Sequence, residues 1–231
     1  MKGKHIASGQ IQGNQKKRVL LVDEHPLMRQ GLAHAINLQA ELVVCGESGD
    51  AGESMRLIES LKPDLLVMGL ALDGKNGLEF IKDLQALHPE LPVLVNSAHD
   101  ETLYAERALR SGARGYVMKK EDGEVVLVAI HRVLSGRIYV SEAMSTQILA
   151  SFAGARSASS SSPIGSLSDR EFEIFELIGE GCVTQEIPKR LHISPKTVDA
   201  HRQNLKQKLN LPSGTTLIQH AVRWVENQGQ S

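Results

Sequence analysis

Short, nearly continuous apolar runs recur along the first 138 residues, each followed by a stretch with helical spacing. The runs fall at 19–22, 42–45, 65–70, 92–95 and 115–118. A strand apolar on both faces is one buried between two layers of helices. The segments between them, 26–38, 50–61, 77–87, 101–110 and 124–134, predict helices. Asp50 is placed to cap the second, the third stops before Pro89, and Gly112 and Gly136 end the fourth and fifth. Five strand–helix units in alternation predict an α/β fold, a (βα)5 doubly wound parallel sheet covered on both faces. In such sheets functional groups gather at the carboxyl ends of the strands.

Beyond 138 the pattern changes. Residues 141–153 predict one more helix, and residues 154–166, GARSASSSSPIGS, carry six serines, two glycines and a proline, the composition of a flexible linker. From 167 to about 226 the pattern is all-helical. Ser168 and Glu171 have capping-box spacing at the start of a helix whose apolar face is Phe172, Phe175, Leu177 and Ile178. A second helix is expected at 184–191, starting late or distorted because Pro188 falls inside it. Ser194 and Pro195 cap and open a third that continues to Leu209. Helix, tight turn, helix is the helix-turn-helix pattern. Four regions follow: a basic tail at 1–18, an α/β domain at 19–138, a linker helix and Ser-rich linker at 139–166, and an all-helical domain at 167–231.

Composition narrows the function classes. Of 231 residues only eight are aromatic, so aliphatic side chains must fill the cores, and a single-strand nucleic-acid binder built on stacking platforms is disfavoured. Cys45 and Cys182 are far apart, each in an apolar pattern, and are expected to be buried reduced thiols suited to the cytosol. No apolar run reaches the roughly 18 residues of a spanning helix, and the N-terminus lacks the apolar core of a signal peptide. A cytoplasmic location with no membrane partner is expected. The net charge of -1 argues for no polyanionic partner until it is resolved by segment. Residues 1–18 carry +5 and no acid, and are expected to be a solvated, disordered tail. Residues 169–186 sum to -5 and residues 188–208 to +5, so one helical face suits a phosphate backbone while another faces solvent or the α/β domain.

At the strand ends stand Asp23-Glu24 after the first strand, Ser97 after the fourth, and Tyr116 and Lys119 at the fifth. Acids at such an edge hold a cation through oxygen, while a hydroxyl and an ammonium bind phosphoryl oxygens. With VLLVDEHPLMRQGL, KPDLLVMGLALDGKNGLEFI and VLVNSAHDETLYAERALRSGARGYVMKKED, residues 19–138 resemble the receiver domain of bacterial response regulators. The resemblance implies an acid pair (Asp23, Glu24), a switch hydroxyl (Ser97), a switch aromatic (Tyr116) and a lysine (Lys119). It also implies an aspartate at the end of the third strand, phosphorylated by a histidine kinase. That position is Gly69, which has no carboxylate to form an acyl phosphate. Asp73 lies four residues on, where its side chain is expected to point elsewhere. The resemblance therefore implies a non-phosphorylatable receiver, no cofactor, and at most weak Mg²⁺ binding by Asp23 and Glu24.

The segment LSDREFEIFELIGEGCVTQEIPKRLHISPKTVDAHRQNLKQKLNL resembles the LuxR-type DNA-binding domain, the output half of NarL/FixJ response regulators. The resemblance places the helix from Ser194 in the major groove of double-stranded DNA. Asp199, Ala200 and Gln203 then face bases, and Lys196, Thr197, His201, Arg202 and Lys206 face phosphates. Asp199 either accepts from a cytosine amino group or orients Arg202. The last helix, with Leu217, Ile218, Ala221 and Val222, is implied to pair two copies as a homodimer on an inverted repeat. Much of that stripe must also pack inside its own domain. The expectation is a DNA-binding transcriptional regulator, not an enzyme: the chain has no nucleophile–base pair, no Gly-rich phosphate loop and no Cys/His cluster. Two alternatives stand beside it, an interaction protein that sequesters a kinase or another regulator, and a receiver phosphorylated at a non-standard carboxylate. A receiver–receiver contact around 104–109 and 124–134 is a further expectation.

Overall fold

The structure, a computed structural model, describes residues 16–72, 75–152, 163–191 and 193–228. Asp73, most of the basic tail and most of the Ser-rich linker lie outside the described residues. Five parallel strands, β1 (Lys17–Val22), β2 (Leu42–Ser48), β3 (Leu65–Met68), β4 (Val93–Ser97) and β5 (Gly115–Met118), form one sheet in the order β2-β1-β3-β4-β5. The helices between and after them are α1 (Pro26–Asn37), α2 (Ala51–Leu61), α3 (Gly77–Leu87), α4 (Glu101–Ser111) and α5 (Gly123–Leu134). Strand side chains alternate between two cores. Leu20, Val22, Leu66, Met68, Val93 and Val95 face one way, toward α2, α3 and α4. Val19, Leu21, Leu65, Val67, Leu94 and Val117 face the other, toward α1 and α5. This two-sided burial is why the runs read as continuously apolar. The expected (βα)5 fold is observed, with β2 longer than the apolar run that announced it because Gly46, Glu47 and Ser48 continue its pairing with β1.

Local chemistry sets the ends. Asp50 accepts from the Glu53 N–H at 2.7 Å, and Gly112 ends α4 at φ 111°, a left-handed position that glycine adopts without strain. After α6 (Glu142–Phe152) the described chain resumes in a 3₁₀ turn at Pro163–Ser166. The helical domain follows as α7 (Asp169–Gly179), α8 (Ile187–Arg190), α9 (Pro195–Lys208) and α10 (Gly214–Gln228). The capping box forms as expected: Ser168 Oγ accepts from the Glu171 N–H, and Glu171 accepts from the Ser168 N–H at 2.8 Å. Lys208 also pairs with Glu171 at 2.7 Å. Burial pushes the Glu171 carboxyl up, but Lys208 and the Ser168 donors outweigh it and hold it below the usual range. One cation of the basic segment is thus used inside its own domain. Pro188 does shorten the second helix, which is the single turn α8. The core is Phe172, Phe175, Ile178, Ile187, Val198, Leu205, Leu217 and Ala221. Cys45 and Cys182 are free thiols but only half-buried, because each lies near a domain edge rather than in a core.

Gly179 is where α7 and α10 touch backbone to side. A Cβ there would sit 2.6 Å from the Ala221 carbonyl oxygen and 2.4 Å from Val225 Cγ2. Since backbone must move to admit it, Gly179→Ala is expected to cost about 1–3 kcal/mol. Urea unfolding followed by the fluorescence of Trp224, the chain's one tryptophan, measures this.

Candidate functional site

The order β2-β1-β3 reverses the winding direction between β1 and β3, and a crevice opens at their carboxyl ends. Asp23 follows β1 and Gly69 follows β3, joined by the Gly69 N–H donating to the Val22 carbonyl at 2.8 Å. Ser97 ends β4, and the Lys119 N–H reaches its carbonyl at 2.7 Å. Ser97 and Lys119 line one cavity at this edge, and Tyr116 of β5 meets the loop that follows Ser97. The structure adds two facts. Lys119 Nζ pairs with Asp23 Oδ2 at 2.6 Å, both side chains mostly buried. A Cβ on residue 69 would lie 2.8 Å from that same Oδ2, so the Asp23 carboxylate occupies the space where a side chain at 69 would begin. Glu24 does not join this pair. It is partly exposed, 3.5 Å from His25 Nδ1. Among the described residues no group of three or more His, Cys, Asp or Glu side chains is arranged to hold a metal. Asp23 is engaged by Lys119, and residue 69 offers no oxygen ligand.

From this pocket a chain of contacts leads to the helical domain. The buried Tyr116 hydroxyl donates to the His99 carbonyl at 2.8 Å, and Ser97 Oγ accepts from the His99 N–H at 3.2 Å. Burial drives the Tyr116 phenol far above its ordinary range, so it stays a donor. The His99 ring lies against Tyr104, centroids 4.5 Å apart, with Nδ1 3.7 Å from Glu176 on α7. The Tyr104 hydroxyl donates to the same Glu176 carboxylate. One turn along α4, Arg107 stacks over Phe172 at 4.4 Å, pairs with Asp169 at 3.1 Å and donates to the Leu167 and Ile164 carbonyls. Lys82 on α3 adds a 2.7 Å pair with Asp169. The acidic stretch of α7 thus faces the α/β domain, the second of the two placements its charge allowed.

The sequence alone does not single out His99 or this seam. A signal was present: Asp169, Glu173, Glu176 and Glu180 recur at helical spacing along one face. Of the face expected to make a receiver–receiver contact, Tyr104 is covered by α7 and 4% exposed, whereas Val128 on α5 stays exposed. A cavity of about 410 Å³ remains between the strand ends and the helical domain, with Lys119, Ser97 and His99 on one wall and Glu176, Leu177 and Arg190 on the other.

The basic helix α9 stays open. Ser194 Oγ caps it at Thr197 N–H, and Pro195 occupies its first turn. Val198 and Leu205 anchor it inward, leaving Lys196, Thr197, Asp199, Ala200 and Gln203 exposed, with His201, Arg202 and Lys206 half-exposed. Arg202 donates to Thr184 Oγ1 at 3.0 Å, tying α9 to the turn before α8. Asp199 makes no ion pair among the described residues, so it does not orient Arg202 here. On α10 the expected pairing stripe divides. Leu217 and Ala221 are fully buried against α7 and cannot meet a second copy, whereas Ile218 is exposed and Val222 half-exposed.

A doubly wound α/β domain with a charged strand-end pocket, joined to a helix-turn-helix domain with an open basic helix, defines a regulator that couples an input module to a DNA-binding one. Residues 19–131 match the response regulator receiver domain family, and residues 165–221 match the bacterial regulatory proteins of the luxR family. The oxygen regulatory protein NreC of Staphylococcus haemolyticus is 31% identical over 210 residues, 89% of this chain and 97% of that protein. Its Staphylococcus aureus counterpart is 32% identical over the same span. The chain belongs to the LuxR/NarL-type family of two-component response regulators, DNA-binding transcription factors. A LuxR-family response regulator from Aurantimonas sp. SI85-9A1 has a similar structure, with TM-score 0.56 and 32% identity, covering 60% of this chain and 99% of that one. The fold is also that of the Salmonella typhimurium response regulator RcsB, with TM-score 0.67 and 22% identity over 90% of this chain and 98% of that one.

The Asp23–Lys119 pair makes a quantitative demand. Lys119→Met strands a buried carboxylate and is expected to destabilise the receiver by about 3 kcal/mol. Asp23→Asn in the same background should recover much of that loss, which a double-mutant cycle by urea unfolding resolves.

Proposed function

We propose that this chain is a cytoplasmic transcription regulator that binds duplex DNA through α9 as a homodimer, and whose receiver is not switched by an acyl phosphate. The observation that carries the reading of the receiver is Gly69: the family's acceptor position has no carboxylate, and the neighbouring Asp23 is already neutralised by Lys119. Control then comes from a protein partner, such as a histidine kinase or another regulator, or from the geometry between the two domains. The DNA reading is supported by the exposure of Lys196, Thr197, Asp199, Ala200 and Gln203 on a rigidly capped helix, with His201, Arg202 and Lys206 at its edges. Ile218 and Val222 are the α10 residues left to pair two copies, and two-fold pairing favours an inverted-repeat site.

Two measurements test this. Incubation with acetyl phosphate and Mg²⁺ should leave the intact mass unchanged. A gain of one phosphoryl group, abolished by Asp73→Ala, would overturn the reading of the receiver. Selection from a random duplex library should yield an inverted repeat. Against that site Lys206→Ala should weaken binding evenly across sequences and lower the salt slope by about 1. Gln203→Ala should relax preference at one base pair per half-site, by about 1–3 kcal/mol.

A further inference from the structure

Across the seam between the two domains, one carboxylate stands apart in its partners. On α7, Glu173 is paired with Arg170 at 2.6 Å, and Glu180 faces Arg190 of α8 at 3.8 Å. Glu176, between them, takes the Tyr104 hydroxyl, and among the described residues its one cationic partner is His99. The other charged groups around His99 have partners of their own. On its own loop and helix, Asp100 caps α4 at the Thr102 N–H, and Glu101 accepts from Ser141. Across the cavity, Lys119 is held by Asp23 and Lys75 by Asp83, while Glu24 lies beside His25. From β5 the Tyr116 hydroxyl holds the His99 backbone rather than its ring. The imidazole charge is thus directed at the interdomain contact.

We propose that His99 and Glu176 form a proton-dependent latch that fastens the DNA-binding domain to the receiver. Protonated His99 completes an ion pair that, with the Tyr104 hydroxyl, satisfies Glu176 at the seam, where both side chains are half-buried at the rim of the cavity. Neutral His99 leaves that carboxylate with the phenol alone. Burial by itself pushes the imidazole down, but Glu176, with Glu173 and Glu180 behind it, outweighs burial and holds it above its ordinary value. The sign follows. Because the docked state has the raised value, the latch's contribution to docking is fully present below the undocked value and fades as pH rises through the docked one, while the Arg107 and Lys82 contacts remain. Ser97 and Tyr116 grip the same residue's backbone, so the latch is also joined to the strand-end pocket. A receiver without an acyl phosphate then has a second means of setting interdomain geometry. Only that consequence rests on the regulatory reading. Docking is measured without DNA, so a failed DNA selection and a failed titration are separate results.

Trp224 supplies the probe. It contacts Phe172 at 5.6 Å, and Phe172 meets Tyr104 across the seam at 5.2 Å. The full chain is titrated between about pH 5.5 and 8.5 by Trp224 fluorescence, with small-angle scattering in parallel. Expected are a single transition in fluorescence and a larger radius of gyration at the alkaline end. His99→Gln and Glu176→Gln should each lose the transition, the second while keeping an acceptor for Tyr104. Tyr104→Phe should keep it with less docking at every pH. His220 lies beside Phe175 at 5.8 Å on the same helix as Trp224, so His220→Gln is the control and should leave the transition in place. A transition that survives both His99→Gln and Glu176→Gln, one that vanishes in His220→Gln, or a wild-type radius constant over the range overturns the proposal. If His99→Gln does not fold, Glu176→Gln decides.

Discussion

A parallel sheet delivers all its strand ends to one edge, and here the order β2-β1-β3-β4-β5 puts the crevice between β1 and β3. That constraint brings Asp23 against Gly69 and within reach of Lys119, with Ser97 and Lys119 on one cavity wall. The same edge turns β4 into α4 through His99, and α4 is the helix on which α7 rests. Pocket and seam are therefore neighbours by topology. A single loop of three residues, from Ala98 to Asp100, serves them both.

Within the pocket the decisive event is the Lys119–Asp23 pair at 2.6 Å. Two buried opposite charges are stable only together, since removing either leaves the other dehydrated and unpaired. Glycine at 69 admits this arrangement, because any Cβ there would press on the Asp23 carboxylate.

The helical domain divides its charge by face. Asp169 on α7 answers both Arg107 and Lys82 of the receiver, while Lys196 and Lys206 on α9 are exposed or half-exposed. Docking of the two domains leaves the exposed face of α9 free, so the domain contact and the proposed nucleic-acid surface do not compete for the same side chains. Lys208 is the exception among the cations, drawn back to Glu171 at the capping box.

Much of this was legible in one dimension. The period of the apolar runs determined the (βα)5 sheet, Ser168, Ser194 and Pro195 determined where helices begin, and the motifs located Asp23, Ser97, Lys119 and the basic helix. These are local or strictly periodic signals, written in consecutive residues. The rest depends on residues far apart in the chain. Which half of the α10 stripe is buried was decided by α7 lying against Leu217 and Ala221. Whether Asp199 or Thr184 would hold Arg202 was decided by the turn before α8. That His99 and Glu176, 77 positions apart, would share a seam was decided by how two domains dock. Such pairings need side chains brought within a few ångströms by packing, and no spacing along the chain encodes that distance.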